Sequence, residues 1–293
     1  MVTDIFRQNE IVYKDDTHQY FGENNKEYSS VTRIVQSIKV PFDRNTMSLM
    51  MARSIAKETG VTVDKAQQEL LSEWESNKNN STDKGNYVHD GLEEYVRTGK
   101  VMEGLEEPVK YMQNVFKQYY RFYPEVILFS HEHKVAGRTD MALQRQKNDR
   151  PVLDFIDYKT NASKGIQFDS ISRKEGILKH YNRFCLAPFE YFESCNYNDY
   201  SLQLSIYAFL AMTTLNVRIG KLAIVFFDNN FHPTYIPVPF MYHEAELLCR
   251  LNITRKELPD FHKVEVDPIK LEMQRRQHPV TEKESFKIKD DWD

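Results

Sequence analysis

The sequence VLDFIDYK, residues 152–159, decides the fold class, because it reads as a largely buried strand that ends in a carboxylate and an amine. In an extended strand the side chains at positions i and i+2 leave on the same face, so Asp157 and Lys159 point the same way. Both groups are costly to bury unless they are paired or bound to a metal ion. The end of this strand is therefore a predicted functional site.

A second carboxylate lies in the preceding strand. Asp140 ends the sequence GRTD, with Arg138 on its face of the predicted strand. Strands disfavour aspartate, so an aspartate in mid-strand indicates a role beyond packing. The turn QKNDRP at 146–151 makes the strands at 137–144 and 152–160 an antiparallel pair. Asp-x-Lys is common by chance, but next to the strand of Asp140 it becomes a much stronger signal.

Two predicted helices carry further candidates. His89 and Glu93 are one turn apart on one helix face, and Gly85, one turn before His89, allows close backbone approach. Gln203 and Tyr207 share a face of a later helix. Each pair taken alone is more often structural: a helix histidine at the margin of the apolar face, or a surface glutamine with a core tyrosine. Together with the two strand motifs, in this order along the chain, they are specific.

This order and spacing resembles the RecB-type nucleases of the PD-(D/E)xK superfamily, in particular single-domain members such as the phage recombination exonucleases and the mitochondrial genome maintenance exonuclease. The family pattern is G-x-x-x-H-x-x-x-E, then G-x-x-D, then D/E-x-K, then Q-x-x-x-Y. The resemblance covers residues 80–240 well and the first 40 residues loosely. The matching positions in this chain are Gly85, His89, Glu93, Gly137, Asp140, Asp157, Lys159, Gln203 and Tyr207.

The resemblance implies an α/β fold with a PD-(D/E)xK restriction-endonuclease-like core, a mixed central sheet flanked by helices, and an N-terminal helical lobe. The implied catalytic residues are Asp140, Asp157 and Lys159. The implied ligands of Mg²⁺ or Mn²⁺ are His89, Asp140, Asp157 and the Tyr158 carbonyl. Oxygen ligands suit both ions, and a histidine is better tolerated by Mn²⁺. The implied substrate-binding residues are Glu93, Arg138, Gln203 and Tyr207.

The implied function is that of a metal-dependent DNA exonuclease that hydrolyses phosphodiester bonds from single-stranded ends, in phage-type DNA replication, recombination or repair. A single-strand-binding or recombination protein is an expected partner. Three alternatives stay open: a structure-specific endonuclease, a nuclease that acts on RNA, and a non-catalytic DNA-binding subunit of a replication or packaging complex. The last of these predicts a broken motif, yet every catalytic position is filled.

Charge and cysteine content narrow these expectations. The net charge of −4 and the pI of about 6.2 argue against a protein that coats duplex DNA, because such proteins are usually basic. Basic residues are nevertheless concentrated between Lys134 and Arg183, which predicts a local basic channel. The cysteines form no C-x-x-C, so we expect free thiols in a reducing compartment and no iron–sulfur cluster. They are Cys185, Cys195 and Cys249.

Neither a signal peptide nor a membrane span is expected. The N-terminal sequence MVTDIFR has no apolar core of the kind a signal peptide needs. The longest apolar run, residues 222–227, is far too short to cross a bilayer. We therefore expect a soluble, cytoplasmic protein without a membrane partner, located in the host cytoplasm if it is phage-encoded.

The chain is predicted to have three parts: an N-terminal hairpin and helical lobe at 1–80, a nuclease core at 81–260 and a charged tail at 261–293. The predicted helices cover 31–39, 44–59, 63–76, 82–98, 108–122, 199–216 and 241–257, with a polar break at 77–81. Thr82 is the expected N-cap of the helix at 82–98, and Asp199 that of the helix at 199–216. Besides a hairpin at 11–21, the predicted strands cover 125–134, 137–144, 152–160, 222–227 and 234–238. Residues 162–197 are predicted to form an irregular substrate loop.

Overall fold

The computed structural model describes residues 5–147, 150–160, 165–174, 177–180 and 183–257. Its contacts divide the chain into two units, Met1–Ile253 and Thr254–Asp293. Of the second unit only residues 254–257, the end of a helix, are described, so the predicted tail at 261–293 lies outside the described residues. All contacts given below are within the first unit.

The described residues form ten strands and six α-helices. The strands are β1 (Val12–Lys14), β2 (Gln19–Phe21), β3 (Glu27–Ser30), β4 (Arg121–Ser130), β5 (Val135–Lys147), β6 (Arg150–Lys159), β7 (Ile171–Lys174), β8 (Ile177–His180), β9 (Arg218–Phe227) and β10 (Pro233–Val238). The helices are α1 (Val31–Gln36), α2 (Arg44–Thr59), α3 (Val63–Thr98), α4 (Glu106–Phe116), α5 (Asn196–Leu215) and α6 (Tyr242–Glu257). Across the described ranges, no helix combines the length and the apolar character that crossing a membrane requires.

One large sheet organises the unit. Its strand order is β1-β2-β3-β5-β6-β9-β10. Strand β4 pairs with residues 135–144 along one edge of β5. The other edge of β5 pairs with β3 at its start and with β6 at its end. The pairs β4–β5, β5–β6 and β9–β10 are antiparallel, whereas β3–β5 and β6–β9 are parallel. The prediction of an α/β fold with a mixed central sheet flanked by helices is therefore confirmed, and so is the hairpin of β5 and β6.

Helices cover both faces of this sheet. Along β6, Leu153 and Phe155 belong to the core formed with α1 and α5, whereas Ile156 and Tyr158 belong to the core formed with α3 and α4. This alternation is the period of two that a strand buried on both faces must have. By the same alternation, Asp157 lies with Leu153 and Phe155 on the face that α5 covers.

The predicted polar break at 77–81 is wrong, because α3 runs without interruption from Val63 to Thr98. The helix starts at Thr62, whose hydroxyl accepts from Lys65 N at 3.3 Å, and ends at Gly99 in the left-handed region. The predicted cap Thr82 instead donates its hydroxyl to Lys78 O within the helix at 3.0 Å. The predicted domain boundary at 80/81 thus falls inside a helix.

Other helices and strands also begin or end at residues that differ from the predicted ones. The helix predicted at 108–122 ends at Phe116, and β4 begins at Arg121. The segment predicted to be irregular contains β7 and β8, which pair as a short antiparallel hairpin. The helix at 44–59 is confirmed at both ends, with Asp43 accepting from Thr46 N and Gly60 in the left-handed region.

Candidate active site

Three elements meet at the carboxyl end of β6. His89, on α3, has Nδ1 3.3 Å from Asp140 Oδ1 and Nε2 3.1 Å from the carbonyl oxygen of Tyr158. Asp140, on β5, accepts from Tyr158 N at 2.6 Å. Burial opposes the charge on His89, but the Asp140 carboxylate outweighs it and raises the pKa of His89 to about 9. In the metal-free protein His89 is therefore a cation that donates from both ring nitrogens.

Asp157 and Lys159 form a buried ion pair on the face of β6 that α5 covers. The Lys159 ammonium contacts the Asp157 carboxylate and lies 4.8 Å from the ring centroid of Tyr200, near the start of α5. Burial, together with nearby Asp140, raises the pKa of Asp157 to about 6, against the effect of Lys159. Burial lowers the pKa of Lys159, but the two carboxylates outweigh it and raise that pKa above its usual value. Lys159 is therefore an ammonium at neutral pH.

Glu125, on β4, is a further acidic residue at this place that the sequence analysis did not identify. It lies opposite Asp140, between the paired positions Pro124–Met141 and Val126–Thr139. His89, Glu125 and Asp140 each offer a ligand atom, and these atoms lie within 4.8 Å of one another. Burial and Asp140 raise the pKa of Glu125 to about 7. In the sequence, Glu125 stands out only as an acidic residue next to Pro124 in a strand. The pairing of β4 with β5 is what shows that it lies opposite Asp140.

Glu125 also has an uncommon backbone. Its φ of 53° lies in the left-handed region, which a glutamate rarely adopts. Its side chain is half-buried and pairs with Arg138, whose Nε lies 2.6 Å from Glu125 Oε2. The guanidinium of Arg138 also lies 4.8 Å from the ring centroid of Tyr13. The predicted substrate-binding Arg138 is thus engaged by Glu125 and Tyr13 in the free protein.

The other predicted substrate-binding residues lie on two helices. Glu93 pairs with Arg97 one turn later on α3, at 2.7 Å, and it acts on the pKa of Glu125, so it is near the site. On α5, Gln203 Nε2 donates to the Tyr207 hydroxyl at 3.1 Å. Burial raises the pKa of Tyr207 well above its usual value, and Asp157 adds to the rise. The structure thus brings Glu93, Gln203 and Tyr207 to the margin of the same site.

Glycine is required at Gly137 but not at Gly85. A Cβ at Gly137 would lie 2.7 Å from the Tyr207 ring and 2.7 Å from Val31, closer than side chains can approach. A Cβ at Gly85 would lie 3.4 Å from Thr160 Oγ1, which is an ordinary contact. The expectation that Gly85 serves a close backbone approach is therefore wrong.

Asp199 was expected to cap α5, and this is also wrong. The helix begins three residues earlier, at Asn196, so Asp199 lies inside its first turn. There its carboxylate pairs with Lys39 Nζ at 2.5 Å. Burial raises the pKa of Asp199 against the effect of Lys39.

The remaining aspartate of β6 belongs to a separate cluster. Asp154 is buried and receives Arg145 Nε at 2.9 Å, the Tyr119 hydroxyl at 2.8 Å and Lys221 N at 2.9 Å. A Cβ at Gly220 would lie 1.8 Å from its Oδ1, so the glycine makes room for the carboxylate. With this many donors Asp154 is a structural residue. All three cysteines are buried free thiols, as expected.

Comparisons with known proteins give little more. No family model matches the chain, and no curated protein matches it. A crystal structure of a candidate exonuclease from Eubacterium rectale is 14% identical, covers 90% of this chain and 92% of its own, and has a TM-score of 0.35. A crystal structure of the protein SSO0001 is 15% identical, covers 76% of this chain and 83% of its own, and has a TM-score of 0.27. Both scores are too low to decide the fold or the function.

Proposed function

We propose that this protein is a metal-dependent nuclease of the PD-(D/E)xK type that hydrolyses DNA phosphodiester bonds from single-stranded ends, in phage-type replication, recombination or repair. One observation carries the proposal. His89, Asp140 and the Asp157–Lys159 pair, which lie far apart in the sequence, come together where α3, β5 and β6 meet. Carboxylates can hold a metal ion that promotes phosphodiester hydrolysis, and an amine beside them can stabilise the charge of the transition state.

The donor set fits a hard divalent cation. His89, Glu125 and Asp140 offer ligand atoms within 4.8 Å of one another, and Asp157 and the Tyr158 carbonyl would complete the set. Carboxylate and carbonyl oxygens are what Mg²⁺ and Mn²⁺ prefer. Like charges directly opposite each other on neighbouring strands are destabilising, and Glu125 lies opposite Asp140. A cation between them would remove that repulsion. When bound, it would polarise a phosphoryl oxygen and supply a more acidic water.

The chain's own residues then have separate tasks. Lys159, a cation held by Asp157 and Tyr200, would orient the attacking water and offset the negative charge that grows on the phosphorus oxygens. The Tyr158 amide, which donates to Asp140, keeps that carboxylate in place. Gln203 and Tyr207, at the margin of the site, would position the DNA strand.

Digestion of end-labelled linear and circular single-stranded DNA with Mg²⁺ or Mn²⁺ tests the proposal. Linear strands should disappear while circular strands resist. Asp140→Asn should abolish the activity, and Glu125→Gln should lower it together with Mn²⁺ affinity. Asp90→Asn is the matched control, because Asp90 is exposed and adjacent to His89 on α3. Equal cleavage of circles would favour an endonuclease, and no cleavage of either would favour a non-catalytic DNA-binding subunit.

A further inference from the structure

Phe168 presents an aromatic ring to solvent near the candidate active site. It is 58% exposed and packs against Tyr197 in a tilted arrangement, with ring centroids 4.7 Å apart and 41° between the ring planes. Single exposed apolar residues are ordinary on protein surfaces. A ring already supported by a second ring is different, because it offers a flat face onto which a further ring can stack.

The loop that carries Phe168 is tied to the start of α5. Gln167 N donates to Asn196 Oδ1 at 2.6 Å, and Tyr197 N donates to Gln167 O at 3.1 Å. The Asn196 amide also donates to Gly165 O at 3.2 Å. These bonds hold the backbone before Phe168 in the free protein, so the exposed ring needs little ordering when it binds a partner.

The pair formed by Phe168 and Tyr197 is continuous with the candidate active site. Tyr197 and Tyr200 are three residues apart on α5 and so are neighbours on the helix surface. The Tyr200 ring in turn lies 4.8 Å from Lys159 Nζ. At the start of the loop, a Cβ at Gly165 would lie 3.9 Å from Phe226, which pairs with Lys159 in the register of β6 and β9. An aromatic path thus leads from the surface to Lys159.

We propose that Phe168 and Tyr197 form a stacking subsite for an unpaired nucleobase, and that the substrate class is therefore single-stranded nucleic acid. A duplex hides the faces of its bases, whereas an unpaired base offers its face to a protein ring. Such stacking tolerates any sequence, because every base has a π-face. The inference rests on the proposed function, since it takes Lys159 as the place where the strand is cut.

Binding of a single-stranded oligonucleotide that carries 2-aminopurine tests the subsite, with a duplex of the same sequence beside it. Binding is measured in EDTA, so that no metal-dependent cleavage occurs. Phe168→Ala and Phe168→Leu should weaken single-strand binding about 5- to 150-fold, the loss of one base stack, and should reduce the quenching of 2-aminopurine. Phe168→Trp should retain both, and duplex binding should not change.

Phe42→Ala is the matched control, because Phe42 is 63% exposed and packs against the Trp74 ring, with centroids 5.8 Å apart, but lies outside the predicted substrate loop. Phe168→Leu keeps apolar bulk, so it decides the question even if Phe168→Ala folds poorly. The subsite is refuted if Phe168→Leu binds the single strand as wild type does, if duplex binding falls equally, or if wild type binds no single strand. Single-strand binding through Phe168 without any cleavage of linear DNA would instead refute the proposed function and leave the subsite standing.

Discussion

At the residue scale, Lys159 shows how a flexible side chain can be fixed. A lysine ammonium sits on a long and mobile stem. Here it contacts the Asp157 carboxylate on one side and lies over the Tyr200 ring on the other. Two supports of different chemistry keep the amine close to Asp140, where positive charge would act on a bound phosphate.

Replacing Lys159 separates catalysis from stability. Lys159→Ala should leave Mn²⁺ affinity equal or tighter, since a cation next to the ligands is gone, while turnover falls about 10²–10³-fold. Calorimetry and single-turnover kinetics measure the two effects. If Lys159 only neutralises Asp157, its removal should instead destabilise the fold by about 3–5 kcal/mol, and the melting temperature should fall both with and without Mg²⁺.

His89 gives the metal-free protein a pH-dependent stability. Folding raises the pKa of His89 to about 9, from an ordinary value of about 6.5. Stability from a raised pKa is fully present below about pH 6.5 and is lost as the pH rises through about 9. His89→Gln should therefore lower the free energy of unfolding in EDTA by about 1–3 kcal/mol more at pH 6 than at pH 10.

Urea denaturation at the two pH values provides this measurement. The control is His243→Gln, because His243 is exposed and far along the chain, on α6. A loss of stability through His89→Gln that is the same at both pH values would show that the imidazole acts through packing and not through its charge.

At the element scale, α3 joins two regions that the sequence had suggested were separate. Its first half packs against α2, where Ala52, Ala66 and Leu70 form a small core of their own. Its second half carries His89 and packs Val88 and Leu92 under the sheet. Asparagine and serine are only weakly unfavourable in a helix, so the polar residues at 77–81 do not stop it.

Proline at Asn79 tests this continuity. In the middle of a helix, Asn79→Pro should cost about 3 kcal/mol, whereas Asn79→Ala should be neutral or slightly stabilising. We expect amide hydrogen exchange of residues 63–78 to become about 100-fold faster in the proline variant, as followed by mass spectrometry. Unchanged exchange would mean that the chain does break at 77–81.

At the scale of the whole molecule, the site draws on both faces of the sheet, with His89 from the α3 side and Gln203 and Tyr207 from the α5 side. The central strands β5, β6, β9 and β10 and the hairpin of β5 and β6 could be predicted, because they depend on local periodicity and on turn residues. Glu125 could not, because its place opposite Asp140 depends on a register between strands. Asp199 was misplaced because a helix start is uncertain by a few residues, and that shift exchanges a cap for an ion pair.

The close approach of the Tyr207 ring to Gly137 restricts which substitutions can occur in relatives of this chain. The glycine stands three residues before Asp140, yet the atoms that forbid a side chain there belong to Val31 on α1 and to the Tyr207 ring on α5, some seventy positions further on. Two pieces of the pattern that look independent in the sequence are therefore coupled. A relative with a larger residue at the position of Gly137 should carry smaller side chains at the positions of both Val31 and Tyr207, and these substitutions should be inherited together.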